Sequence, residues 1–202
     1  MGSADKRRNR TGRRKPMSVK KAQRLVQEIG ASLEDYARIE AQLIAESCSP
    51  PTPRDIFWRA ANEMIVVGAQ QNNWRLVSMA YGKMAFTLFE EDQPHYQLAK
   101  ESKRASIMGY MESRAAAKRP LDGKVLRILA NACCEECEHF HLREYTFDEA
   151  LEQAPLPPAA CSRGWCNCCW DNARSKPVQM AQEKLARNPF RVDLLEPKKK
   201  SY

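Results

Sequence analysis

Seven of the eight cysteines in this 202-residue chain fall between positions 133 and 169. Sulfur at that density narrows what the C-terminal half can fold into. Cys134-Glu-Glu-Cys137 is a C-x2-C pair, whose two intervening residues let both thiolates face one ion. The stretch CSRGWCNCCW then supplies Cys161, Cys166, Cys168 and Cys169, and Cys166 to Cys169 is a second C-x2-C. The 23 residues between Cys137 and Cys161 close a loop of the size usual for a structural zinc site. Disulfides need an oxidising compartment, and nothing in the chain suggests export. A catalytic thiol stands beside a histidine and an acid, not among six other cysteines. Iron is the competing metal, since cysteines alone do not declare which ion they hold.

Spacing alone favours Cys134, Cys137, Cys166 and Cys169 as the four ligands. His139 and His141 lie close enough in sequence to reach a metal, but the sulfurs suffice without them. A module of about 50 residues has too little interior to stand on apolar burial, so a metal would supply its folding free energy. Trp165 and Trp170 bracket the second cluster and are expected to pack over it. Stacking on nucleobases is their other use. Cys48, alone before a proline break, reads as a buried or bystander thiol.

Upstream, the pattern is helical. Ser18 caps a short helix that stops near Gly30. Ser32 with Asp35 forms a capping box before Leu33, Tyr36, Ile39, Leu43 and Ile44. Prolines at 50, 51 and 53 break the chain, and Thr52-Pro53 opens a helix running to about Gln70. Its expected inner face is Ile56, Phe57, Ala60, Met64 and Val67. After the turn at Gln71-Asn72-Asn73, Trp74, Val77, Tyr81, Met84 and Leu88 form a continuous stripe. A further helix begins at Pro94 and lasts to about Lys118. Trp74, Val77, Ser78 and Tyr81 resemble the opening of a tetratricopeptide repeat, but no turn follows near Met84-Ala85 and no second copy exists. Pro120-Leu-Asp-Gly123 is a turn signal, and Val125 to Leu129 reads as a short strand. Thr146 and Glu149 form a capping box for a helix of about residues 147–153.

The expected fold is therefore mainly α: an antiparallel helical array followed by a small zinc-braced α+β module. The divisions are a basic arm (1–17), a helical domain (18–119), the cysteine-rich module (120–176), and a C-terminal helix with a basic tail (177–202).

Charge is concentrated at the front. Residues 1–21 carry a net +8, equal to the net charge of the whole chain, so residues 22–202 sum to zero. Arg7, Arg8, Arg10, Arg13, Arg14 and Lys15 make an arm suited to polyanions, nucleic acid foremost, through counterion release. A solubilising tail is the plainer alternative. A protein partner is also expected. The start lacks the apolar core of a secretory signal, and no window is apolar enough to span a membrane, which predicts a cytoplasmic protein.

The residues Cys134, Cys137, Tyr145, Thr146, Glu149, Ala150, Leu151, Pro155, Leu156, Pro157, Cys161, Trp165, Cys166 and Cys168 follow an order that resembles a cysteine module of bacterial and phage-related proteins. The phage Mu F-type minor head proteins have a looser version of it. Phe140-His141-Leu142 replaces the Leu-Asp-Gly turn of that module, and Asn167 replaces an arginine. The resemblance implies zinc held by Cys134, Cys137, Cys161 and one of Cys166 or Cys168, with His139 and His141 as turn residues. No phosphate-binding glycine loop is present, and the helix after Thr146 offers no histidine partner for a ββα-metal nuclease. The expected role is a non-catalytic zinc-binding adaptor that contacts nucleic acid through its arm. The alternative is an assembly protein of a phage-like element, which binds protein only.

Overall fold

The computed structural model describes residues 16–47, 49–130, 135–158, 161 and 165–173. The basic arm, Cys48, Cys133, Cys134 and the expected C-terminal helix and tail lie outside the described residues. The chain is mainly helical, with one small antiparallel sheet in its C-terminal half. Five helices come first: α1 (Val19–Glu28), α2 (Leu33–Glu46), α3 (Pro53–Gln70), α4 (Trp74–Glu90) and α5 (Tyr96–Ala116). Then follow β1 (Leu126–Leu129), α6 (Glu135–Glu138), β2 (Glu144–Tyr145), α7 (Phe147–Gln153) and β3 (Cys169–Asn172).

Local chemistry sets the helix starts. The Ser18 hydroxyl accepts from the Lys21 amide, while Ser32 with Asp35 and Thr52 with Asp55 form reciprocal capping boxes. Pro53 occupies the first turn of α3, where no intrahelical N–H is needed. Gly30 ends α1 at φ 85°, letting the Ala31 amide reach back to the Val26 carbonyl.

Two apolar cores result. The first joins α1 to α4 through Leu25, Val26, Ile29, Tyr36, Ile39 and Phe57, with Ala60, Ala61, Ala80 and Met84 filling the gaps. The expected inner faces are narrower here than the hydropathy pattern implies. Leu33, Ile44 and Val67 are exposed. The first two lie on α2, an outer helix that rests on α1 and α3 alone among the well-contacted elements, so a single stripe through Tyr36, Ile39 and Leu43 suffices. The opposite holds for α4, which lies between α3 and α5. It buries Val77, Ala80, Met84, Ala85 and Thr87, whereas Trp74, Tyr81 and Leu88 of the expected stripe are only half-buried.

Close approach decides the α3–α4 corner. A Cβ added at Gly68 would stand 2.9 Å from Val77 Cγ2 and 3.2 Å from the Asn73 carbonyl oxygen. The carbonyl belongs to the turn and cannot swing aside. Gly68→Ala is expected to cost about 1–3 kcal/mol despite alanine's better helix propensity. Urea unfolding measures it, and a stabilised variant would show that the corner can open.

The second core is built on the sheet, ordered β2-β1-β3, with Ile128 opposite Trp170 and Leu126 opposite both Tyr145 and Asn172. Gly123, at φ 75°, turns the chain into β1. The core contains Val125, Leu126, Ile128, Tyr145, Phe147, Ala150, Leu156 and Trp170. Ile107 of α5 belongs to it as well, so the module is seated directly on the last long helix.

Candidate metal centre

Three separate segments bring sulfur to one point. Cys137 comes from α6, a single turn whose end is closed by the Phe140 amide donating to the Cys137 carbonyl. Its side chain points inward and is fully buried. Cys161 follows the Pro-rich stretch after α7, and its amide donates to the Pro158 carbonyl at 3.1 Å. Cys166 stands on the approach to β3. The Thr146–Glu149 capping box fixes the start of α7, with the Glu149 amide on the Thr146 hydroxyl at 3.1 Å and the Glu149 carboxylate on the Thr146 amide at 2.8 Å.

The Sγ atoms of Cys137, Cys161 and Cys166 all lie within 4.8 Å of one another. The pair Cys137 and Cys166 is 3.8 Å apart. Thiolates arranged tetrahedrally at about 2.3 Å from one ion stand about 3.8 Å from each other. This cluster could hold a metal ion, and its three sulfurs come from positions 24 and 5 residues apart in sequence. A metal there would tie α6, Cys161 after the Pro-rich stretch and the approach to β3 into one unit.

The remaining candidates occupy other positions. Cys168 is fully buried in the second core, and its carbonyl accepts from the Lys103 ammonium at 2.6 Å. Among the described residues it stands outside the three-sulfur group, as does Cys169. Cys169 lies on β3 opposite Leu129, and burial pushes its thiol up, against the opposing pull of Lys103. His139 and His141 are exposed in the turn after α6. His141 Nδ1 accepts from the Ala130 amide at 3.1 Å, which places the ring proton of the neutral form on Nε2.

The two tryptophans part company. Trp170 is buried in the module, edge-on to Tyr145 with ring centroids 5.5 Å apart. Trp165 turns away from the module core and meets Phe86 and Phe89 of α4 and His95 at the head of α5, at 5.1, 5.7 and 6.0 Å. The expectation that both rings cover the cysteines is thus corrected for Trp165. Its ring partners Phe86 and Phe89 lie on α4 and His95 heads α5, so this tryptophan packs against the helical array.

Compared with known protein families, curated proteins and solved structures, the chain matches none.

Sequence reasoning missed the supports that α5 provides. The Tyr110 hydroxyl donates to the Trp170 carbonyl at 3.0 Å, beside the Lys103 contact to Cys168. Lys103, Ile107 and Tyr110 are spaced i, i+4, i+7, the repeat of one helix face. That signal was present in the sequence, masked by the lysine.

Proposed function

We propose that this protein is a non-catalytic adaptor whose C-terminal module is folded by one zinc ion. Cys137, Cys161 and Cys166 hold it, with a fourth sulfur from Cys134 or Cys168. The arm carrying Arg7, Arg8, Arg10, Arg13, Arg14 and Lys15 contacts nucleic acid. The observation that carries this reading is the 3.8 Å separation of Cys137 and Cys166 within the three-sulfur cluster. It suits thiolates on a single ion. In a four-iron cluster each cysteine binds a different iron, and in a two-iron cluster only pairs share one, so three sulfurs within 4.8 Å of one another suit a single ion better. Zinc is the ion that thiolate-rich tetrahedral sites most often hold for structural purposes, and four sulfurs leave it no open position for a substrate. The electrostatic case for nucleic acid is the net +8 carried by residues 1–21, against a neutral remainder.

Elemental analysis and salt-dependent binding test the two halves separately. One zinc per chain is expected, retained in Cys169→Ser. Binding to DNA or RNA is expected to weaken steeply with salt and to lose that slope when residues 1–15 are deleted. Folded protein without zinc, or with an iron cluster, would overturn the first half. Association with protein partners alone, indifferent to salt, would overturn the second.

A further inference from the structure

Two adjoining hollows form an interrupted groove along α5 where the module meets the helical array. At one end is a cavity of about 220 Å³ walled by His95, Tyr96, Lys103, Cys161, Trp165 and Cys166. At the other is a wider, shallower hollow of about 470 Å³, with Tyr96, Lys100, His139 and Phe140 along it. Tyr96, Pro157 and Pro158 border both, so the two hollows adjoin along those residues. Glu136 is the one carboxylate lining either of them, among the described residues.

The groove alternates aromatic planes with cations. Tyr96, Lys100 and Lys103 share one face of α5 and span about 10 Å along its axis. Tyr96 is 38% exposed although aromatic, and sits between Trp165 on one side and Phe140 on the other. Arg143 lies over the Phe140 ring at 5.8 Å, which extends the basic edge beyond the hollow. Aromatic faces that take unstacked bases, beside cations that follow a backbone, are how proteins hold single strands. A duplex keeps its bases stacked and cannot use such faces.

We infer that this groove binds single-stranded nucleic acid, with bases stacked on Tyr96, Trp165 and Phe140 and phosphates along Lys100 and Lys103. This rests on the nucleic-acid reading above and assigns it a second, strand-selective surface in the folded body. The chemistry of the cavity fits the division of labour. With the proposed ion bound, the thiolates of Cys161 and Cys166 would make that wall electronegative, so a neutral base could approach it where a phosphate could not. Phosphates are directed to the lysine side. Polar committal of Lys103 to the Cys168 carbonyl still leaves two of its three N–H donors.

The test uses the full-length zinc-loaded chain and fluorescein-labelled 12-mers, one single-stranded dT and one duplex, read by anisotropy at fixed salt. Loss of one stacked base is worth about five- to 150-fold in affinity. Tyr96→Ala with Lys100→Glu is expected to weaken the single strand at least tenfold, leave the duplex unchanged and leave zinc content unchanged. Ultraviolet cross-linking of the wild-type complex is expected to label residues 94–104. Unchanged single-strand affinity in the double variant would overturn the groove, as would equal loss of a labelled polyglutamate, which would show a surface that reads charge alone. Deleting residues 1–15 separates the two readings. If only that deletion matters, the arm stands and the groove falls. If only the double variant matters, the groove stands and the arm falls. A chain that binds neither oligonucleotide overturns both.

Discussion

Cys137→Ser is expected to strip the metal and unfold the C-terminal module while α1 to α4 stay folded. Cys137 is fully buried between α6 and the sheet, and its sulfur is 3.8 Å from that of Cys166. A serine hydroxyl there is a poor ligand and remains protonated at neutral pH. Zinc binding supplies folding free energy on the order of 10 kcal/mol in small modules, more than a sheet of three short strands can replace. The effect is therefore all-or-none for the module. Metal content should fall to background, Trp170 emission should shift to the red, and limited proteolysis should cut beyond Ala116. Chelators should reproduce each change in the wild-type chain. Acidification should do so too, because protons compete with the ion for the thiolates. Serine-substituted protein that keeps zinc and resists protease would defeat the idea.

Phe57→Ala should give the complementary result. Phe57 is fully buried in the first core, edge-on to Trp58 with ring centroids 5.8 Å apart. No cysteine of the three-sulfur cluster belongs to that core, so its stability comes from apolar burial and helix packing. Truncation there removes the ring and leaves a cavity between α3 and its neighbours, at about 3–5 kcal/mol. Against a total stability of about 5–15 kcal/mol, this is a large share. Denaturant unfolding followed by helical circular dichroism measures it. The zinc bound per folded chain should not change. A loss below about 1 kcal/mol would mean that the small residues around the ring, Ala60, Ala61 and Ala80, close over the space.

The two variants attack halves of the molecule that differ in how far their sequence discloses them. Helix starts were readable because capping is local: Ser18, Ser32, Thr52 and Thr146 each bond an amide three residues on. Inner faces were less readable. Hydrophobicity marks Leu33, Ile44 and Val67 as candidates for burial, but burial requires a neighbour, and none among the described residues covers them. The module's seat on α5 was hidden for the opposite reason. Lys103 and Tyr110 read as surface residues, yet each donates to a backbone carbonyl near or on β3 while its stem covers apolar ground. In the three-sulfur cluster, Cys161 sits in neither C-x2-C pair, so spacing passes over it and the resemblance alone points to it. Three-dimensional proximity of α6, the Pro-rich loop and the approach to β3 brings it beside Cys137 and Cys166.

Because Ile107 belongs to the module's core, α5 carries an apolar face whose cover is made later in synthesis. The helical array is complete at Ala116, but Trp170, which closes that core, lies 54 residues further on. At about 5–20 residues per second, the ribosome takes roughly 3–11 s to supply it. For that interval the nascent chain exposes Ile107, Tyr110 and Met111, and the three-sulfur cluster cannot assemble until Cys166 has emerged. If a metal folds the module, as proposed, its supply during translation would set the yield of intact protein, and scarcity would be felt as aggregation of half-made chains before any loss of function in finished ones.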